Sequence, residues 1–135
     1  MFGTPIPKGD ADRTKPSSID GVITEVTSLL GVSALLLVDE NGEVEHQWYR
    51  TLLDRSRIEV TGTDVRELTD QILRFGQRIG GGQLDNMILR SENSTILIQT
   101  ASRKTLFIFS DKRANLALLM IRAKRVAQIV SPPGT

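Results

Sequence analysis

The sequence predicts an α+β domain in which helices cover the faces of one five-stranded antiparallel sheet. Three segments carry apolar residues at the three- and four-residue spacing of amphipathic helices. Five short apolar or alternating runs, bounded by Gly, Asn, Asp and Ser, are typical of strands. Their order is α-β-β-α-β-β-β-α, and elements in this order pack most simply as one sheet, because a chain of 135 residues suits a single domain.

The first half of the predicted domain is a helix followed by a hairpin. Apolar residues recur from Ile19 to Leu30, behind possible caps at residues 17 and 18 and ahead of Gly31, which indicates a helix. Residues 32–38 form a short apolar run between turn formers, and alternation follows from residue 44, so we expect a hairpin with an Asn-Gly turn. Its second strand is allowed to continue to Leu53. Residues 50–62 mix apolar and charged residues, and a further short strand is one interpretation of them.

The second half consists of a helix, a three-stranded meander and a closing helix. The helical period returns from Asp64 to Ile79, with Asp64 and Glu67 at the spacing of a capping pair, and three glycines at 80–82 are expected to end this helix. Strand-like runs at 86–91, 94–100 and 105–110 are separated by turn-forming residues. An apolar stripe over 116–130 predicts the closing helix.

Composition limits the organisation and the environment. Residues 1–17 are rich in Pro, Gly and charge, and we expect them to form a flexible arm before a domain at 18–130 and a flexible tail at 131–135. The chain lacks cysteine and a long apolar run, so we expect a cytoplasmic protein without a secretory signal or membrane insertion. The 17 basic and 16 acidic residues nearly balance, which argues against nucleic-acid binding.

No motif in the sequence predicts catalysis, a cofactor or a metal. His46 is the only histidine, so a histidine-rich metal site is not available. A serine triad would have to use His46, and the sequence has no Gly-x-Ser-x-Gly elbow to expose its nucleophile. The segment Asp39-Glu40-Asn41-Gly42 lacks the glycine spacing of a calcium loop and is expected to be a turn. The glycines at 80–82 lack the Gly-Lys-Ser/Thr ending of a phosphate loop. We therefore expect no enzyme and no cofactor.

Two segments carry a family resemblance. Residues 31–42, GVSALLLVDENG, resemble the opening strand and Asp-x-x-Gly turn of Roadblock/dynein light chain proteins, especially bacterial MglB-type polarity regulators. Residues 106–118, LFIFSDKRANLAL, resemble the final strand and the start of the last helix of that family. The match covers about residues 18–130, whereas the charged connection at 50–62 and the glycines at 80–82 depart from the family pattern.

The resemblance implies a fold related to longin and profilin domains and a dimer joined through the second helix and the following edge strand. These elements correspond to residues 64–79 and 86–91. An apolar strand edge is an association hazard unless something pairs with it, and Gly76 is expected to let a second helix approach closely. The predicted interface residues are Leu68, Ile72, Leu73, Gly76, Asn86, Met87, Ile88, Leu89 and Arg90.

The resemblance also implies the function, which is a non-catalytic module that binds and regulates a small Ras-like GTPase. Its expected partners are a second copy of itself or a paralogous Roadblock protein, together with the GTPase. A structural adaptor without any GTPase is the alternative, and a small-ligand sensor is a more remote one. We expect regulation by positioning of the GTPase, although four arginines in the predicted loops are candidates for an arginine finger. They are Arg50, Arg55, Arg57 and Arg103.

Overall fold

The protein is described from a computed structural model, which describes residues 18–82 and 84–131. The predicted N-terminal arm and residues 132–135 lie outside the described residues. The helices are α1 (Ile19–Thr27), α2 (Leu52–Arg57), α3 (Gly62–Arg78) and α4 (Leu116–Val130). The strands are β1 (Val32–Val38), β2 (Val44–Tyr49), β3 (Asn86–Arg90), β4 (Thr95–Ala101) and β5 (Lys104–Ser110).

The strands form one antiparallel sheet in the order β2-β1-β5-β4-β3, which confirms the predicted fold class. All seven residues of β1 are buried because β1 pairs on both sides and is covered on both faces. In the described part of the chain β2 and β3 each pair along one side only, so they are the two edges of the sheet. The predicted hairpin and three-stranded meander are confirmed, whereas the sequence did not predict the β1–β5 pairing that joins them.

Each face of the sheet has its own core, and the two cores are covered differently. On one face α1 and α4 together cover β1, β4 and β5. On the other face α3 packs against β1 and β5. Since one helix is narrower than a five-stranded sheet, part of the second face near β3 stays accessible. The second core consists of Leu36, Val38, Val65, Ile72, Ile98 and Phe107.

The interpretation of residues 50–62 as a further strand is wrong, because they contain the short helix α2. The Thr51 hydroxyl accepts a hydrogen bond from the Asp54 backbone N–H at 3.0 Å, which is an N-cap that starts a helix. Strand β2 consequently ends at Tyr49 and does not continue to Leu53. Because α2 has no buried residue, its sequence carries no apolar stripe, and apolar and charged residues are mixed along it.

Helix α3 begins two residues earlier than the predicted capping pair. Thr61 is the N-cap, and its hydroxyl accepts from the Asp64 N–H at 3.1 Å while the Asp64 carboxylate accepts from the Thr61 N–H at 2.9 Å. The reciprocal pair is a capping box, so Asp64 occupies its third position and Glu67 takes no part in it. The helix ends at Arg78, and Gly80 follows with a φ of +72°, as predicted for a glycine stop.

The segment 39–42 is a hairpin turn, as predicted. The Asp39 carboxylate accepts hydrogen bonds from the backbone N–H groups of Asn41 and Glu43 at 2.8 and 3.0 Å. Gly42 has a φ of +83°, a conformation that favours glycine. The start of α3 packs onto this turn, where a Cβ on Gly62 would collide with the carbonyl oxygen of Gly42.

Candidate partner-binding surface

The apolar stripe of α3 is only partly buried. Val65 and Ile72 pack into the second core, but the side chains of Phe75 and Ile79 are 59% and 62% exposed. Large aromatic and aliphatic side chains at such exposure leave apolar area in water, which costs about 25 cal/mol per Å². The end of α3 therefore presents an apolar surface that burial against a partner would stabilise.

A groove of about 430 Å³ runs between this part of α3 and strand β3. Met87 of β3 packs on the same core as α3, and Leu89 lies on the same sheet face because its pairing partner Ile96 does. The groove joins the exposed helix stripe to the sheet edge. Its lining residues are Leu68, Gln71, Ile72, Arg74, Phe75, Arg78 and Met87.

The edge of β3 completes this surface. Strand β3 pairs with β4 from Asn86 to Arg90, and its other side has no strand beside it within the described ranges. Backbone N–H and C=O groups on an open edge are a template for pairing with another strand. We call the groove and this edge together the α3/β3 surface.

The hydrogen bonds of Gln99 hold the chain that leads into β3. Gln99 is 1% exposed, and its Nε2 donates to the carbonyl oxygens of Asp85 and Thr100 at 3.0 and 3.2 Å. The Thr100 hydroxyl donates to the carbonyl oxygen of Leu84 at 2.9 Å. Because these bonds anchor residues 84 and 85 to β4, the start of β3 is fixed relative to the sheet.

The structure brings part of the predicted interface together and separates the rest. Leu68, Ile72 and Met87 line one groove, and Asn86, Leu89 and Arg90 lie along the adjoining edge. The three others point elsewhere. Leu73 lines a different cavity, Gly76 is buried beneath Leu84, where a Cβ would lie 2.9 Å from Leu84 Cγ, and Ile88 packs on the opposite sheet face with α1 and α4.

Gly76 therefore admits a side chain of its own protomer, in place of the partner helix that the sequence predicted. Phe75 and Ile79 were absent from the predicted set, although both belong to the same helical stripe. The sequence signal that could have identified both residues was the length of the apolar stripe of α3. It extends to the end of α3, where Phe75 and Ile79 remain exposed.

The four arginines that are candidates for an arginine finger differ in how firmly other side chains hold their guanidinium groups. Arg50 donates from Nε to Asp54 and from Nη1 to Asp111, both at 3.2 Å, so its guanidinium is held within the chain. The guanidinium of Arg55 lies 6.0 Å from the ring centre of Tyr49, and Arg103 lies 3.7 Å from Glu40 in an exposed pair. Arg57 has no ion-pair partner among the residues described.

Asp111 is the centre of the strongest charge cluster. Hydrogen bonds from Arg113 and Arg50, opposed by partial burial, hold the pKa of Asp111 well below its usual range. Its Oδ2 accepts from Arg113 Nη2 at 2.8 Å, and its Oδ1 accepts from the Arg113 backbone N–H at 2.9 Å. Both carboxylate oxygens are thus satisfied within the chain, which marks a structural role.

The basic residues of α4 also have partners within the chain. Arg122 and Arg125 each place a guanidinium nitrogen within 3.4 Å of the Glu25 carboxylate of α1. Lys124 lies 3.3 Å from Asp85. These pairs join α4 to α1 and to the loop before β3, so they explain the charges without an external acidic partner.

The described part of the chain contains no group of three or more His, Cys, Asp or Glu side chains that could hold a metal. His46 Nδ1 lies 4.0 Å from the exposed carboxylate of Asp20. None of the helices over 18–82 and 84–131 combines the length and the apolar character needed to cross a membrane. A cavity of about 510 Å³ lies between α3 and the β4–β5 turn, and charges of both signs line it, among them Arg66 and Asp70.

This order of elements, with one long helix on one face and two helices on the other, is the Roadblock fold, and solved structures share it. MglB of Myxococcus xanthus is 20% identical over 84% of this chain and 91% of its own, with a TM-score of 0.66. A Roadblock/LC7 domain of Streptomyces avermitilis is 16% identical over 82% of this chain and 89% of its own, with a TM-score of 0.65.

A further structure, described as MglB with a tetrameric arrangement, is 17% identical over 97% of this chain and 90% of its own, with a TM-score of 0.69. No protein-family model matches the amino-acid sequence, and no curated protein matches it either. The likeness is thus one of fold, and it confirms the fold expected from residues 31–42 and 106–118.

Proposed function

We propose that this protein is a non-catalytic dimeric module that binds and regulates a small Ras-like GTPase. The observation that supports it is the α3/β3 surface, where Phe75 and Ile79 are exposed beside an open strand edge in a Roadblock fold. The sequence resemblance to MglB-type regulators points to the same function. A tetrameric arrangement of one MglB neighbour is consistent with self-association of this fold.

A second copy of the chain is the partner that fits the α3/β3 surface. Two antiparallel β3 edges can add their backbone hydrogen bonds, and two α3 helices can then bury Phe75 and Ile79 of both copies. A stable interface of this kind buries at least about 1,000 Å² in total. The dimer would carry a continuous sheet, with paired helices on one face as a surface for the GTPase.

The contacts of the arginines favour regulation by positioning of the GTPase over regulation by an arginine finger. Arg50 is held by Asp54 and Asp111, and reaching into another protein would break both interactions. Arg55 and Arg57 are exposed on α2, but no motif distinguishes either of them. A dimer that orders the switch loops of a GTPase would act through groups that the GTPase already has.

The experiment is affinity capture of small GTPases by the tagged protein in the presence of GTP or GDP, followed by a GTP hydrolysis assay with each captured GTPase. The proposal predicts that the wild-type protein changes the hydrolysis rate and that Phe75→Asp abolishes the change. Ile121→Asp is the matched control, because Ile121 is similarly exposed, at 60%, but lies on α4. Failure to capture any small GTPase would contradict the proposal.

The two alternatives give different results in the same experiment. A structural adaptor would form a stable complex that leaves the nucleotide cycle of every captured GTPase unchanged. A small-ligand sensor would use the 510 Å³ cavity, whose size is within the usual range for ligands. In that case a metabolite would raise the melting temperature, and Arg66→Ala would remove the increase.

A further inference from the structure

A second surface lies at the end of the sheet where β1 and β4 begin and β2, β3 and β5 end. We call it the basic end, and it comprises residues 28–31, 50–57, 90–95 and 110–115. Six basic and three acidic residues lie in these segments, so their excess of positive charge is larger than the net charge of +1 of the whole chain. The basic residues are Arg50, Arg55, Arg57, Arg90, Lys112 and Arg113.

Two of the three acidic residues at this end are already neutralised. Asp54 accepts from Arg50, and Asp111 accepts from Arg50 and Arg113. The other four basic side chains are exposed and have no ion-pair partner in the described part of the chain. Arg90 and Lys112 line one depression of about 300 Å³, together with the hydroxyl-bearing residues Ser91, Ser94, Thr95 and Ser110.

The basic end also carries exposed leucines. Leu52 and Leu53, at the start of α2, are 84% and 57% exposed, and Leu30, after α1, is 66% exposed. Leu30 shares a small cavity with Arg113, Ala114 and Leu118. Ala114 also lines the depression beside Lys112, so Leu30 adjoins the basic depression. Leu52 and Leu53 lie on α2, and Arg50, just before this helix, binds Asp111 of the same depression. Exposed apolar groups bordered by charged side chains are typical of protein interaction sites.

We propose that the basic end is a docking site for an acidic, leucine- or phenylalanine-bearing segment of a partner protein. The leucines would receive its apolar side chains, while the carboxylates would pair with the exposed basic residues. Five of the six basic residues are arginines, whose planar guanidinium binds a carboxylate through two parallel hydrogen bonds. The inference goes beyond the proposed function, because this site meets the α3/β3 surface only at Arg90 and shares no residue with its groove.

The chemistry favours a protein over the two other anionic partners. Surfaces that bind nucleic acid are strongly basic stripes or faces, whereas paired carboxylates and exposed leucines interrupt the positive charge of the basic end. Lipid binding through charge needs a dense cluster of Lys and Arg or a long amphipathic helix, and α2 has only six residues. An acidic peptide with apolar anchors fits both components of the surface.

The test is selection of random peptides, displayed on phage, against the full chain. The proposal predicts that selected peptides combine Asp or Glu with Leu, Ile or Phe. Their affinity should fall by about tenfold or more in Leu52→Ser/Leu53→Ser and in Arg57→Glu/Lys112→Glu, because buried anchors dominate binding. The controls Ile121→Ser and Arg66→Glu should retain wild-type affinity, and circular dichroism would establish that all variants fold.

Three results would overturn the proposal. The first is that no peptide, or only basic peptides, are selected. The second is that the variants at the basic end bind selected peptides as tightly as the controls do. The third comes from vesicles of phosphatidylglycerol and phosphatidylcholine, or from duplex DNA. If either binds the wild type at physiological salt and the same variants lose that binding, the basic end recognises a membrane or nucleic acid instead.

Discussion

Arg50 and Asp111 are joined by a hydrogen bond of 3.2 Å between Arg50 Nη1 and Asp111 Oδ2, although 61 positions separate them in the sequence. Arg50 follows β2 and Asp111 follows β5, the strands on either side of β1. The same guanidinium binds Asp54 in the first turn of α2. Arg50 therefore holds α2 against the end of the sheet.

We expect Arg50→Ala to destabilise the protein by about 1 kcal/mol, since the guanidinium is partly exposed and solvent screens its ion pairs. Urea unfolding monitored by the fluorescence of Trp48 would measure the free energy of unfolding. Arg55→Ala, a substitution within α2 itself, is the control and should change it by less than about 0.5 kcal/mol. Equal effects of the two substitutions would show that the Arg50 bridge does not stabilise the fold.

Asp111 predicts a dependence of stability on acid pH. Because its pKa is lowered on folding, the folded state favours the ionised carboxylate, and the resulting stabilisation is fully present above the unfolded pKa of about 3.9. It is lost as the pH falls below that value. We expect the stability difference between wild type and Asp111→Asn to be largest at neutral pH and to shrink below about pH 4. A difference that is constant from neutral pH to about pH 3 would contradict this.

The positioning hypothesis predicts the kinetics of arginine variants. With a captured GTPase at saturating regulator, Arg55→Ala, Arg57→Ala and Arg103→Ala should each leave most of the stimulation of GTP hydrolysis. Loss of an arginine finger would reduce the rate by roughly a thousandfold or more. If one variant still binds the GTPase but loses nearly all stimulation, that arginine is a finger and the hypothesis is wrong.

Gly31 gives a test of backbone geometry. Its φ is +88°, and a Cβ there would lie 2.6 Å from the backbone nitrogen of Ala114. Gly80 has a similar φ of +72° but no heavy atom within 4 Å of the corresponding Cβ. We expect Gly80→Ala to cost about 1–2 kcal/mol from the left-handed conformation alone. Gly31→Ala should cost clearly more because it adds a collision, and equal melting temperatures would contradict this.

Much of the fold could be predicted from the sequence because its signals are local. The run from residue 32 to 38 is apolar at every position except Ser33, as expected of a strand that is buried on both faces. Turn residues at 39–42 and the glycines at 80–82 placed two of the boundaries correctly. The helix α2 was missed because it is one and a half turns long and buries nothing, so it leaves no periodic pattern.

The candidate surface was harder to predict, since orientation depends on tertiary packing. Alternation in β3 showed that both of its faces have apolar positions, but not that Ile88 faces the core with α1 and α4 while Met87 faces α3. Helical spacing likewise gave the stripe of α3 without showing which of its members stay exposed. Leu73 and Phe75 are two positions apart and line different cavities.

The central claim is that two copies associate through the α3/β3 surface, and sedimentation equilibrium at about 100 µM tests it most directly, because an interface above roughly 1,000 Å² is stable at that concentration. We predict a dimer for the wild type and for Ile121→Asp, and a folded monomer for Phe75→Asp. A strictly monomeric wild type, or a Phe75→Asp variant that remains as dimeric as Ile121→Asp, would contradict the account.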